Sequence, residues 1–122
     1  LLLDETVLPR AHRLRRAAEF RQVVRRGSRA AGPAVVLHQW LRADDEPVRV
    51  GFVVGRAVGN AVTRNKVKRR LRDLMAHRLS TLREHSSVVV RANPAAAGYH
   101  VSQLADDIDR GLRALASRPS GR

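Results

Sequence analysis

Residues 64–72 read R-N-K-V-K-R-R-L-R, and their types and spacing suit the gripping of phosphates. If the segment is helical, Arg64, Lys68 and Arg72 fall in one row, with Asn65 and Arg69 alongside. That row offers charged forks to phosphate oxygens and an amide to a sugar or a base edge. A DNA-reading recognition helix would carry similar groups. No helix and tight turn precede this one at helix-turn-helix spacing, which weakens that reading.

Other chemistries find less support. Asp106, Asp107 and Asp109 form the carboxylate cluster a two-metal nuclease would want. Their place in the first turns of a closing helix predicts instead a solvent-facing set that complements the helix dipole. Asp44, Asp45 and Glu46 read as a turn. His12, His38, His77, His85 and His100 show no HExxH or i, i+4 ligand pairing, and no metal site is expected. The chain has no cysteine, which excludes disulfides, Cys-type zinc sites and thiol nucleophiles. No nucleophile with its base is legible, so any chemistry is expected to come from a partner.

The charge agrees with a polyanionic partner. Lys and Arg number 24 against 11 acids, a net charge of +13. Residues 10–29 and 56–78 each carry a local net of +7, so the whole excess sits in two segments. At 122 residues and 43% hydrophobic the chain is expected to be one folded domain over residues 10–117. Residues 1–9 read as a disordered extension and 118–122 as a frayed tail. The opening LLLDETVL lacks the basic flank of a signal peptide, and no apolar run approaches 18 residues. A cytoplasmic setting without membrane contact is expected.

The elements that would position these residues follow from periodicity. Residues 17–27 read as a short helix with Phe20, Val23 and Val24 at helical spacing and Gly27 as its stop. Residues 33–41 and 48–54 read as strands forming a hairpin or lying adjacent, with Val48, Val50, Phe52 and Val54 on one face. Asn60 would cap a helix running to about Leu82, with Val67, Leu71, Leu74, Met75 and Arg78 on its core arc. Residues 86–93 read as a buried strand and 101–116 as a closing helix capped by Ser102, with Leu104, Ile108, Leu112 and Leu115 inward. The sum is an α/β (α+β) sandwich, a small mixed sheet packed with helices. Four aromatics are too few for a sheet that stacks bases through several rings. Phe52 reads as core, whereas Phe20, inside a basic helix, reads either as core or as the border of a groove.

With RLRRAAEFRQVVRRG at 13–27, VRVGFVVGRAVGNAVTRNKVKRRLRDLM at 48–75 and VVVRANP at 88–94, the sequence resembles the bacterial ribonuclease P protein subunit over roughly residues 10–117. The pairing of G-N-A-V with R-N-K-x-K-R-x-x-R makes that resemblance specific. It implies a protein that assists an RNA enzyme in removing the 5′ leader of precursor tRNA, with the required magnesium ions on the RNA. It implies no cofactor on the protein itself and no obligate protein partner. It also implies a split β-α-β unit whose crossover is left-handed, against the usual rule.

By the same resemblance, Arg64, Asn65, Lys68, Arg69 and Arg72 match the helix motif that contacts the catalytic RNA, Lys66 joins them in the RNA-binding set, and Arg56 and Asn60 match positions just before it. Phe20 matches an aromatic of the cleft that holds the single-stranded leader. Val24 and His38 stand where relatives often place aromatics. This implies weaker leader stacking, with Phe20 and the His38 imidazole carrying more of it. Gly55 for Ser and Lys66 for Arg are milder departures. The chief alternative is a ribosomal-type structural RNA-binding protein, which would share charge and fold but ignore a precursor's leader.

Overall fold

The computed structural model describes residues 8–117. The proposed extension at 1–9 and tail at 118–122 therefore lie outside the described residues, apart from Leu8 and Pro9. Leu8 is no part of a loose extension: its side chain is buried in the main core, and its carbonyl accepts from Arg13 Nε at 2.8 Å.

Seven elements follow in order: α1 (Ala17–Arg26), β1 (Ser28–Ala31), β2 (Val35–Leu41), β3 (Arg49–Val53), α2 (Ala61–Ala76), β4 (Ser86–Ala92) and α3 (Val101–Ala116). The strands form one mixed sheet in the order β1-β2-β4-β3, antiparallel except for the β3–β4 pair. Because β3 and β4 are parallel, α2 serves as their crossover. They are also direct neighbours, so the β-α-β unit is closed and not split by an inserted strand.

Two strand assignments differ from the expectation. β2 and β3 do not form a hairpin, because β4 lies between them. The hairpin is β1–β2, and β1 consists of Ser28, Arg29, Ala30 and Ala31, residues without the β-branched signature of a strand. Residues 42–47 cross the end of the sheet and are fixed by Arg42, whose side chain is only 4% exposed. It donates to Ser86 O at 2.6 Å, Ser87 Oγ at 2.8 Å and the carbonyls of Glu46 and Pro47 at 2.7 Å.

One sheet face packs Val35, Leu37, Val50, Val88 and Val90 against Val67, Leu71, Leu74 and Met75 of α2 and Leu104, Ile108 and Leu115 of α3. The other face carries α1, with Val23 buried on Val89 beside Leu14 and the partly buried Phe20 and Trp40. No described helix is long and apolar enough to cross a membrane.

The helix ends show local chemistry doing more than periodicity predicts. Asn60 caps α2 as expected, its Oδ1 accepting from Thr63 N at 2.9 Å. Gly59 before it has φ +156°, a conformation side chains rarely adopt, which gives the G-N pair a backbone reason. α2 stops at Ala76 and not near Leu82: Arg78 Nη1 returns to Leu74 O at 2.9 Å, and the chain tightens into a 3-10 turn at Leu79–Thr81. The cap of α3 is His100, not Ser102. Its Nδ1 accepts from Ser102 N, while Gln103 Oε1 accepts from His100 N at 2.8 Å.

The three acids of α3 are not a uniform solvated set. Asp107 is 3% exposed, and its Oδ2 accepts from Ala34 N at 2.9 Å and Val35 N at 3.0 Å, while Arg110 pairs with Oδ1 at 3.0 Å. It clamps the closing helix to the β1–β2 turn. Asp109 accepts from Arg78 Nε at 2.7 Å, which holds its carboxyl below the usual range. Asp106 is exposed.

Candidate nucleic-acid interface

Burial of Val67, Leu71, Leu74 and Met75 sets the rotation of α2 and so decides which cations face outward. Asn65, Lys66, Arg69 and Arg72 are exposed, and Arg64 and Lys68 are partly buried beside them. Arg56 is exposed in the 3-10 turn Arg56–Val58 that leads into the helix. The Nε of Arg64 is buried without a hydrogen-bond partner among the described residues. Arg70 belongs to the same run but turns to the protein, donating to Tyr99 O at 3.4 Å. Asn60 spends its side-chain oxygen on the cap, so its amide nitrogen is the group left for a ligand.

Phe20 and Val24, four residues apart, share one flank of α1. Phe20 lies directly on the sheet at Gly51: a Cβ there would overlap the ring's Cζ and stand 2.6 Å from Cε1. Val24 is 40% exposed. His38 differs from the expectation. Its ring is beneath α1, 2% exposed, with neither nitrogen hydrogen-bonded among the described residues. Burial, then the Arg91 and Arg29 charges, lower its pKa and keep it neutral. An enclosed ring is floor, not a stacking platform.

Strand alternation places Val53, with its partner Arg91, on the same sheet face as Gly51. Val53 is 37% exposed on that face, two residues along β3 from the Gly51 on which Phe20 rests. The sequence pattern hid it. The alternation that singled out Val50, Phe52 and Val54 as core assigns Val53 to the opposite face, and that face looks like ordinary solvent until α1 is in place.

The two groups of residues meet. A pocket of about 230 Å³ has Phe20, Leu14, Gly51 and Phe52 in its lining, together with Arg13 and Arg15 from the segment before α1 and Lys68 and Arg72 from α2. An aromatic ring on a sheet and four cations from two separate elements thus share one concavity, which suits a base together with its phosphates. Among the described residues no group of three or more His, Asp or Glu side chains is placed to hold a metal ion.

The ribonuclease P family model matches residues 8–116 of this chain. The chain belongs to the ribonuclease P protein family. It is 46% identical over 117 residues to the ribonuclease P protein component of a Nocardioides species, covering 94% of this chain and all of that protein. With the Streptomyces avermitilis component the identity is 49%, over 89% of this chain and 95% of the other. Its fold resembles that of a Staphylococcus aureus RNase P protein mutant with defective mRNA degradation activity, with TM-score 0.78 and 26% identity over 85% of this chain and 87% of that one. It likewise shares the fold of the Thermotoga maritima RNase P protein, with TM-score 0.73 and 21% identity over 88% of this chain and 98% of that one. The four-stranded mixed sheet with three helices is therefore the ribonuclease P protein fold, and the chain is a protein component of a tRNA-processing ribonucleoprotein that works with an RNA partner.

Proposed function

We propose that the chain docks on the catalytic RNA of ribonuclease P through the exposed cations of α2 and receives the 5′ leader of precursor tRNA in the groove beside α1. The observation that carries this reading is the shared pocket, in which Phe20 stands with Lys68 and Arg72. Cations on α2 and an aromatic on α1 can then engage two RNA strands at one junction. Both strands are polyanions, and bringing them together without protein is costly. Arg64, Lys68, Arg69 and Arg72 lower that cost by neutralising phosphates and so reduce the magnesium the RNA needs. Asn65 and the Asn60 amide supply hydrogen bonds that fix register. Phe20 stacks on a leader base, while Val24 and Val53 offer apolar surface alongside it.

Bond cleavage belongs to the RNA partner in this reading. Magnesium held by that RNA would supply the Lewis-acid chemistry for phosphodiester hydrolysis. The protein's residues bind and align.

The test is single-turnover cleavage of a precursor tRNA at low magnesium, with a bacterial ribonuclease P RNA, with and without the protein, and with protein alone. Strong stimulation of the RNA and no cleavage by protein alone is the expected result. Absence of stimulation, with the RNA active at high magnesium and the protein folded, refutes the reading.

A further inference from the structure

Three neighbouring hollows share lining residues in an order that traces a path. Arg13 and Arg15 line the Phe20 pocket, which also holds Lys68 and Arg72, and they line a second hollow of about 340 Å³. Arg16, Glu19 and Arg49 line that second hollow and also a third, of about 570 Å³, walled by Trp40 and Gln22. The path therefore starts at the cationic face of α2, passes the beginning of α1 and ends on the flank of α1 that carries Glu19 and Gln22. Phe20 and Val24 stand on the other flank, where the groove is.

The charges along this path are sorted. Glu19 Oε2 is engaged by Arg49 Nη2 at 2.9 Å and by Ser87 Oγ at 2.6 Å, and Asp44 is engaged by Arg42 Nε at 3.0 Å. Both carboxylates are thus already paired with arginines of the protein itself. Arg15 and Arg16 are exposed and pair with no described carboxylate. Glu46 is the remaining acid of the second hollow, against Arg13, Arg15 and Arg16. The far wall is preformed, because the Arg42 hydrogen bonds fix residues 42–47, and Trp40 rests on the buried Leu14, Val23 and Val89. A rigid indole next to unpaired guanidinium groups, reached by a cationic track, is the chemistry that holds an unpaired RNA strand.

We infer that a single-stranded segment of the catalytic RNA, continuous with the strand docked on α2, follows this track and stacks a base on Trp40. The inference rests on the function proposed above and adds a second contact with the same RNA. The Phe20 pocket is the junction where both strands meet. Beyond it the catalytic RNA and not the leader is the occupant, because the second and third hollows leave on the flank of α1 opposite Phe20 and Val24, away from the groove that takes the leader.

Trp40 is the chain's single tryptophan, so its emission reports this hollow alone. The full chain is titrated with full-length catalytic RNA without substrate, and separately with a leader oligonucleotide. Catalytic RNA is expected to quench Trp40 and the leader oligonucleotide to leave it unchanged. Arg15→Ala with Arg16→Ala should lower the slope of log affinity against log salt by about 0.7 for each phosphate no longer neutralised, and should remove most of the quench. Arg69→Ala should weaken binding yet leave the saturated complex quenched. Trp40→Leu should weaken catalytic-RNA binding roughly 5- to 150-fold, with Trp40→Phe recovering part of it and circular dichroism melts confirming that both fold. Unchanged emission at saturating catalytic RNA overturns the inference, as does quenching by the leader alone or full affinity in Trp40→Leu. If the protein stimulates cleavage while Trp40 emission stays unmoved, this inference alone falls. If it neither stimulates cleavage nor binds the RNA, both fall.

Discussion

Replacing Gly51 by Ala tests whether the Phe20 ring is held by the sheet. The new methyl would overlap Cζ of Phe20, stand 2.6 Å from Cε1 and touch Leu14 Cβ at 3.0 Å. Backbone on the neighbouring strand cannot yield, since Gly51 is paired with Val89 in the parallel β3–β4 ladder. The ring must therefore retreat by roughly 1 Å, an overpacking strain of about 1–3 kcal/mol. Phe20→Ala alone removes a partly buried ring and should cost a comparable amount of stability, with a reduction in discrimination between precursor and mature tRNA of about 1–3 kcal/mol from the missing stack. The informative variant is the double one. With no ring to displace, Gly51→Ala in the Phe20→Ala background is relieved of its largest clash and keeps only the Leu14 contact. Urea unfolding of the four proteins should then show a coupling of at least about 1 kcal/mol, the double variant being more stable than the sum of the singles. In binding, Gly51→Ala should lower affinity for precursor tRNA in the holoenzyme more than for mature tRNA. Additivity within about 0.5 kcal/mol would mean that Phe20 does not rest on Gly51. Equal losses for the two RNAs would make the ring a core side chain without a role in the leader.

Other outcomes follow from the same geometry. Arg69→Ala and Arg72→Ala should weaken catalytic-RNA binding and each flatten its salt dependence by roughly 0.7–0.9 of a log unit for every phosphate set free; an unchanged slope in both removes α2 from the interface. His38 has a lowered pKa in the fold, so between that value and about 6.5 the unfolded chain binds the extra proton and stability falls as pH drops. His38→Leu should flatten that acid-side slope, by up to about 1.4 kcal/mol per pH unit, in urea unfolding measured from pH 7 to 5; an identical slope in both proteins refutes the buried neutral ring. Asp107→Ala strands two N–H groups and should cost about 2–5 kcal/mol, whereas Asp107→Asn, which keeps an acceptor, should cost less. A destabilisation below about 0.5 kcal/mol for the alanine variant would mean that water replaces the carboxylate.

Periodicity makes the helices and three of the strands legible, because Val23, Val67, Leu71, Leu104 and Ile108 recur at the spacing a buried stripe requires. β1 is not legible, since Ser28–Ala31 becomes a strand only through pairing with β2. The neighbour of β2 escapes the sequence for a related reason: strand order depends on contacts between residues far apart in the chain, and a turn-like D-D-E-P says nothing about what lies between its flanking strands. The fate of Asp107 is hidden because a helix-borne acid looks the same whether it faces water or two backbone amides. For the site, the cations of α2 are visible as a pattern, whereas the neighbourhood of Phe20 with Lys68 and Arg72 requires the fold. His38 belongs by alternation to the face that bears the groove, but only the placement of α1 shows it covered and so unable to offer its ring to a base.

The segment before α1 also seals an edge. Leu14 N donates to Val50 O at 3.0 Å, Arg13 bridges to Val50 in parallel, and His12 contacts Val48 O through its ring. These contacts occupy the outer side of β3, which would otherwise present open amides and carbonyls to a second molecule. A highly cationic protein concentrated along RNA brings many copies of itself close together, where an uncovered strand would recruit its twin. A variant lacking residues 1–14 would bare that strand and empty the core of Leu8 and Leu14 at once. Its symptom would be self-association on the nucleic acid, over and above the loss of affinity expected from removing Arg10 and Arg13.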